Sequence, residues 1–165
     1  NRLFNKNLGG GCILDLGCYP TSFSLLIASL IKNINYKNIE LEKVKKKIGP
    51  TGVDIDAEAE LSFDGVFKSQ IKASFENNIG KRSIIYGDKG SLDIIDTWHG
   101  TDVIEKIING KKNRIINKFT DNPYSFQIES ISKHLLGNNN ETSYPGFTIQ
   151  DTLLNTKILE SWLNV

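Results

Sequence analysis

The chain of 165 residues contains no methionine, only two cysteines, two histidines and four prolines, and almost no net charge. A natural chain begins with methionine, and this one starts abruptly at Asn1-Arg2-Leu3-Phe4, so a missing front half is expected. Cys12 and Cys18 lie six residues apart and do not form a C-x-x-C pair, and no histidine cluster accompanies them. That excludes a metal site and points to packed free thiols in a reducing cytoplasm. With 20 basic against 19 acidic residues the net charge is +1, which supplies no field to gather nucleic acid or anionic lipid. Lys43 and Lys45-Lys46-Lys47 lack interleaved aromatics and read as a solvated strand or turn face. No signal peptide is present, and the longest apolar run, Phe23 to Ile31, is broken by serines and too short to span a bilayer. A cytoplasmic location is therefore expected. There is also no G-x-G-x-x-G: Gly9 and Gly11 would need glycine where Leu14 stands, and Gly87 and Gly90 bracket a turn.

What is present reads as one α+β domain with a large open, mostly antiparallel sheet and helices packed on one face. Thr21 to Ile31, with Pro20 at the first helical position, carries Phe23, Leu26, Ile27 and Leu30 at helical spacing. Ile39 to Ile48 alternates weakly as a strand. Val53 to Phe63 alternates strictly: Val53, Ile55, Ala57, Ala59, Leu61 and Phe63 face inward, and Asp54, Asp56, Glu58, Glu60 and Ser62 outward. Parity demands a three-residue loop, Asp64-Gly65-Val66, with Gly65 in a bulge, Phe63 opposite Phe67 and Glu58 opposite Lys72. Further strands are expected over Arg82–Tyr86, Ser91–Ile95, Val103–Ile108 and Arg114–Phe119, the last two joined by Asn109-Gly110. Asp96 to Asp102, with Trp98 and His99, reads as an irregular loop. Its aromatic face suits either sugar stacking or a cap on the core edge. Two helices close the chain. Ser125 to Leu136 ends at Gly137, and Thr148 to Leu163 opens on a Thr148–Asp151 capping box and carries a stripe of Ile149, Leu153, Thr156 and Leu159.

The segment from Gly9-Gly10-Gly11 through Asp15 and Gly17 to Tyr19 carries the most chemistry. Glycines allow a close backbone approach, and an acid and a phenol four residues apart share one face if the run is helical. Polar groups in an apolar run need partners. Two readings stay open from spacing alone: a proton-sharing pair at a site, or a capping acid beside a packing tyrosine.

Five pieces in order carry a resemblance: this glycine–Asp15–Tyr19 segment, Thr51-Gly52-Val53-Asp54 with its strand, Tyr86-Gly87-Asp88-Lys89-Gly90-Ser91, Asn122-Pro123-Tyr124, and Gly146-Phe147-Thr148. Together they resemble the C-terminal domain of the Gfo/Idh/MocA oxidoreductases, over nearly the whole chain from Arg2 to Leu163. The resemblance implies a substrate-binding and dimerisation domain that follows a Rossmann half. It implies hydride transfer between a sugar or polyol hydroxyl and NAD or NADP, with the cofactor held mainly by the missing half. Asp15 and Tyr19 match the family's acid and its His or Tyr, and Tyr resembles the dihydrodiol and aldose dehydrogenase branch. Arg2 matches an arginine near the nicotinamide. The family lysine that makes a phenol a usable base is not in this chain, so the isolated chain is expected to be inactive. A homodimer or higher homo-oligomer through the sheet is implied. The rival reading is a non-enzymatic association or ligand-binding module on the same scaffold.

Overall fold

Alternation and turn parity decide the first half of the structure, a computed structural model that describes residues 1–100, 103–116, 122–137 and 146–165. Strands β1 (Ile39–Ile48), β2 (Asp54–Phe63) and β3 (Phe67–Ser74) form an antiparallel sheet in the order β1-β2-β3. The odd loop sets Phe63 against Phe67 and Glu58 against Lys72, as parity requires. Its backbone differs from the single bulged glycine expected. Asp64 (φ 54°) and Gly65 (φ 68°) are both left-handed, and the Val66 N–H donates to the Phe63 carbonyl at 3.0 Å. Two successive left-handed residues match the twist of a hairpin.

β1 carries a bulge between Glu42 and Lys45, with Lys43 left-handed at φ 53°. The extra residue turns Val44 toward the core and sends Lys45 and Lys47 outward. On that outer face Glu60 accepts from Lys43 and Lys68, each at 3.0 Å, and Glu58 accepts from Lys45 at 2.8 Å. The face expected to be simply solvated is therefore partly covered. Glu60 is 5% exposed. Asp54 is 2% exposed for a different reason: the register shifts again between Lys47 and Ile48, and its carboxylate meets α1.

The inner face closes under α1 (Cys12–Asp15), α2 (Cys18–Ser29) and α4 (Ile149–Asn164), around Ile13, Leu25, Leu61, Phe63 and Trp162. Two helical stripes are corrected. α2 begins at Cys18, so Pro20 is its third residue, still within the turn whose N–H groups lack helical partners. It buries Thr21, Ser24, Leu25 and Ala28 rather than Phe23, Leu26, Ile27 and Leu30. Small residues let the helix lie close on the sheet, where Ser24 Oγ meets Ser69 Oγ at 2.7 Å. The larger apolar side chains consequently line its outer side. α4 has the expected capping box and buries Leu159 of the expected stripe, but Ile149, Leu153 and Thr156 are exposed, while Ile158 and Trp162 join Leu159 in the core. Burying the large indole sets the phase of that helix.

These elements make up one compact unit, Asn1–Ile79 with Phe147–Val165; Gly80–Gly146 make up a second. The second holds β4 (Ser83–Gly87), β5 (Gly90–Ile94), β6 (Val103–Ile108) and β7 (Lys111–Ile116), an antiparallel meander in the order β4-β5-β6-β7. The α+β class and antiparallel pairing are as expected, with the described strands bonded as two ladders. β7 starts at Lys111, not Arg114, because left-handed Asn109 and Gly110 (φ 49° and 76°) close a two-residue turn. The expected extension to Phe119 lies outside the described residues, as do Thr101 and Asp102 of the loop. α3 (Pro123–Leu136) starts two residues earlier than expected, with Asn122 accepting from the Tyr124 N–H at 3.0 Å. Gly137 follows at φ −82°, so its left-handed freedom goes unused. Among the described residues none in this unit is buried.

Candidate functional site

The glycine triplet makes close approaches, and all of them are to the chain itself. A 3-10 turn, Lys6–Leu8, ends at left-handed Gly9 (φ 67°). A Cβ on Gly10 would stand 2.6 Å from the Leu3 carbonyl oxygen and 2.8 Å from that of Arg2. On Gly11 it would stand 2.4 Å from Asp54 Oδ1. The space that a cofactor phosphate would need beside Gly11 thus holds a carboxylate of the protein. These glycines do not fit a dinucleotide pyrophosphate.

The same packing places the candidate side chains. Gly11 N–H donates to the Leu3 carbonyl at 2.9 Å, which ties the turn Arg2–Phe4 to the start of α1. Asp15, the last residue of α1, then accepts from Arg2 Nη2 at 3.1 Å. The helical run breaks at Leu16-Gly17, so Lys6–Asp15 and α2 are bent by 47°. Gly17 is required there, since a Cβ would come within 2.9 Å of the Trp162 ring. Tyr19, the second residue of α2, stands beyond the bend, so the single continuous helix face considered for Asp15 and Tyr19 does not exist. Both reach the surface all the same: the Asp15 side chain is 24% exposed and Tyr19 52%. Of the three predicted residues, Arg2 and Asp15 are joined directly.

Burial disfavours the thiolate form of both thiols beside this site. Burial, reinforced by Asp54, pushes the Cys12 thiol far above its ordinary range, and burial raises Cys18 as well. Cys12 Sγ lies 3.3 Å from the Ala73 carbonyl oxygen. Both cysteines are free. Among the described residues no group of three or more His, Cys, Asp or Glu is placed to hold a metal ion. His99 Nδ1 lies 3.1 Å from Asp96 Oδ1, and Asp96 also accepts the N–H groups of Trp98 and His99. Among the described residues, two of the shallow hollows lie on the sheets. One lies on the outer face of β1–β3 among Lys43, Glu58, Glu60 and Lys72, and the other on the four-stranded sheet among Arg82, Tyr86, Asp93 and Glu105. Neither is lined by Asp15 or Tyr19. Sequence reasoning missed Asp54, which strict alternation assigns to the solvent side; only its place in Thr51-Gly52-Val53-Asp54 marked it.

Comparison with known proteins identifies the family and the fold. A sequence profile of the GFO/IDH/MocA C-terminal domain matches residues 1–93, a stretch that contains Arg2, Asp15, Tyr19 and Asp54. The trans-1,2-dihydrobenzene-1,2-diol dehydrogenase of Xenopus tropicalis is 29% identical over 126 residues, 76% of this chain and 36% of the relative. Its Xenopus laevis counterpart is 28% identical over the same shares. The chain spans about a third of the length of these curated relatives. Among solved structures, an aldose–aldose oxidoreductase from Caulobacter crescentus, complexed with glycerol, superposes with a TM-score of 0.73. It is 18% identical, and the match covers 98% of this chain and 47% of that one. A 3-ketoreductase from Actinomadura kijaniata, in complex with NADP and TDP-benzene, gives 0.71 at 15% identity, with the same coverage. At such identities these likenesses show the fold. The profile covers more than half of the residues, and on that ground the chain belongs to the GFO/IDH/MocA C-terminal domain family.

Proposed function

We propose that this chain is the substrate-facing half of a nicotinamide-dependent oxidoreductase that acts on a CH–OH group of a sugar, polyol or related diol. The observation that carries the reading is the Arg2–Asp15 ion pair, held at the surface one bend before Tyr19. A bound nicotinamide, NAD or NADP, supplies the hydride acceptor, and its phosphates belong to a segment outside this chain. Tyr19 takes the hydroxyl proton as the C–H bond is broken and returns it in the reverse direction. A phenol titrates near pH 10, so this duty needs a cation brought by the rest of the protein. Asp15 accepts a hydrogen bond from the substrate and orients it, and Arg2 sets the Asp15 carboxylate and would border a bound nicotinamide. The chain alone is therefore inactive. Support for a covering partner comes from α2, whose half-exposed Phe23, Leu26 and Ile27 follow Tyr19 along its outer side.

Tyr19→Phe in the full-length protein should cost at least about 100-fold in kcat and leave NADP binding unchanged. Steady-state kinetics and a cofactor titration check this; near-normal turnover would refute the role and favour the association-module reading. The protein is cytoplasmic in this reading, and among the described residues no single helix is long and apolar enough to cross a membrane. Self-association uses the four-stranded sheet, where Ile84, Tyr86 and Ile107 stand exposed on one face. Light scattering on the full-length protein should report a dimer or larger assembly, and Tyr86→Glu should weaken it.

A further inference from the structure

The proposed chemistry gives no task to Asp54, a carboxylate that the fold places deep in the protein. Asp54 opens β2 and is 2% exposed. Burying a carboxylate is costly unless its oxygens are occupied. Here Oδ2 accepts the Ile13 N–H at 2.7 Å, a short charge-assisted bond. Oδ1 fills the space that a side chain on Gly11 would take. The carboxylate thus touches the first turn of α1 at Gly11 and Ile13, with Cys12 between them.

Asp15 follows two residues after Ile13, its N–H bonded to the Gly11 carbonyl at 3.2 Å. On the other side, the turn that carries Arg2 is fastened to the same glycines, by Gly11 N–H to Leu3 and Gly10 N–H to Asn5 at 3.0 Å. Both halves of the Arg2–Asp15 pair are therefore registered on a short backbone piece that a strand residue holds in place. A site acid displaced by even about 1 Å can lose two orders of magnitude in rate. Fixing α1 from a rigid strand, rather than leaving it to the bend, is the kind of support such a group needs.

We propose that Asp54 is a positioning residue for Asp15, a role that rests on Asp15 orienting substrate. The full-length protein, labelled with 15N-isoleucine, tests it through Asp54→Ala and Asp54→Asn. The Asn variant keeps an acceptor for the Ile13 N–H, and the Ala variant removes it. In Asp54→Ala the Ile13 amide resonance should move upfield and its hydrogen exchange quicken at least about tenfold. With trans-1,2-dihydrobenzene-1,2-diol and NADP as probes, kcat should fall about tenfold or more while the KM for NADP stays within about twofold. Asp54→Asn should restore both readouts to near wild type. A folded Asp54→Ala with unchanged amide signal and kcat overturns the proposal. So does an Asn variant as impaired as the Ala one. If Asp54→Ala does not fold, Asp54→Asn decides alone: retained amide signal and kcat support the role, and a tenfold loss overturns it. Asp15→Asn serves as the control for the underlying reading. If it leaves turnover untouched, substrate orientation by Asp15 falls, and the isoleucine signal, which needs no substrate, still reports whether Asp54 holds α1.

Discussion

Gly11 sits at φ 124° with the Asp54 carboxylate where its side chain would be, so two separate penalties oppose any other residue there. A left-handed or otherwise sparsely populated backbone costs a non-glycine residue about 1–3 kcal/mol. Displacing a buried, hydrogen-bonded carboxylate adds to that. Gly11→Ala should therefore lower stability by at least about 2 kcal/mol, read as a drop in the urea midpoint. Gly17 faces a similar limit against Trp162. The glycines that looked like a cradle for a ligand are thus accounted for by the protein's own packing. What else they do is local: Gly10 and Gly11 fasten the turn that carries Arg2 to the start of α1, where Arg2 meets Asp15 at 3.1 Å.

The strands were more legible than the helices, for a physical reason. A strand's faces follow from parity, so Phe63 opposite Phe67 could be read from the count of residues in one loop. Even the bulge in β1 left a trace: apolar positions run Ile39, Leu41, then Val44, an odd-to-even switch that requires one extra residue. A helix offers no such parity. On α2, size misled the reading, because Thr21, Ser24 and Ala28 pack closest to the sheet where the larger residues cannot fit. On α4, leaving Trp162 out of the stripe rotated the face. Caps are local and survived: Thr148 Oγ1 accepts from the Asp151 N–H at 3.1 Å. Thr148→Ala should cost about 1 kcal/mol, visible as a lowered melting temperature without change in the folded spectrum. The candidate residues were legible as residue types, and Asp15 with Arg2 as a pair was not, since two elements distant in sequence make that contact.

At the scale of the molecule, charge is balanced locally rather than merely in sum. Lys45 holds Glu58, and Lys43 holds Glu60, below the ordinary glutamate value of 4.5. In the second unit Lys112 does the same for Glu105 and Arg82 for Asp93. A depressed folded value means that the unfolded chain binds more protons in this window, so stability rises with pH across it. The contribution is complete above the ordinary carboxylate range and disappears as pH falls through the depressed values. The urea midpoint should stay nearly flat from about pH 7 to 5 and then decline steadily toward about pH 3. A decline that is already steep near neutrality would contradict this balance.

Among the described strands β1 is an outermost one, and Lys43 interrupts its spacing. Any foreign strand laid along its open border would lose step after Glu42 and would pull lysines away from the acids that neutralise them. Lengthening of this sheet by recruitment of further chains is thereby discouraged, a safeguard against fibrous growth written into one supernumerary residue.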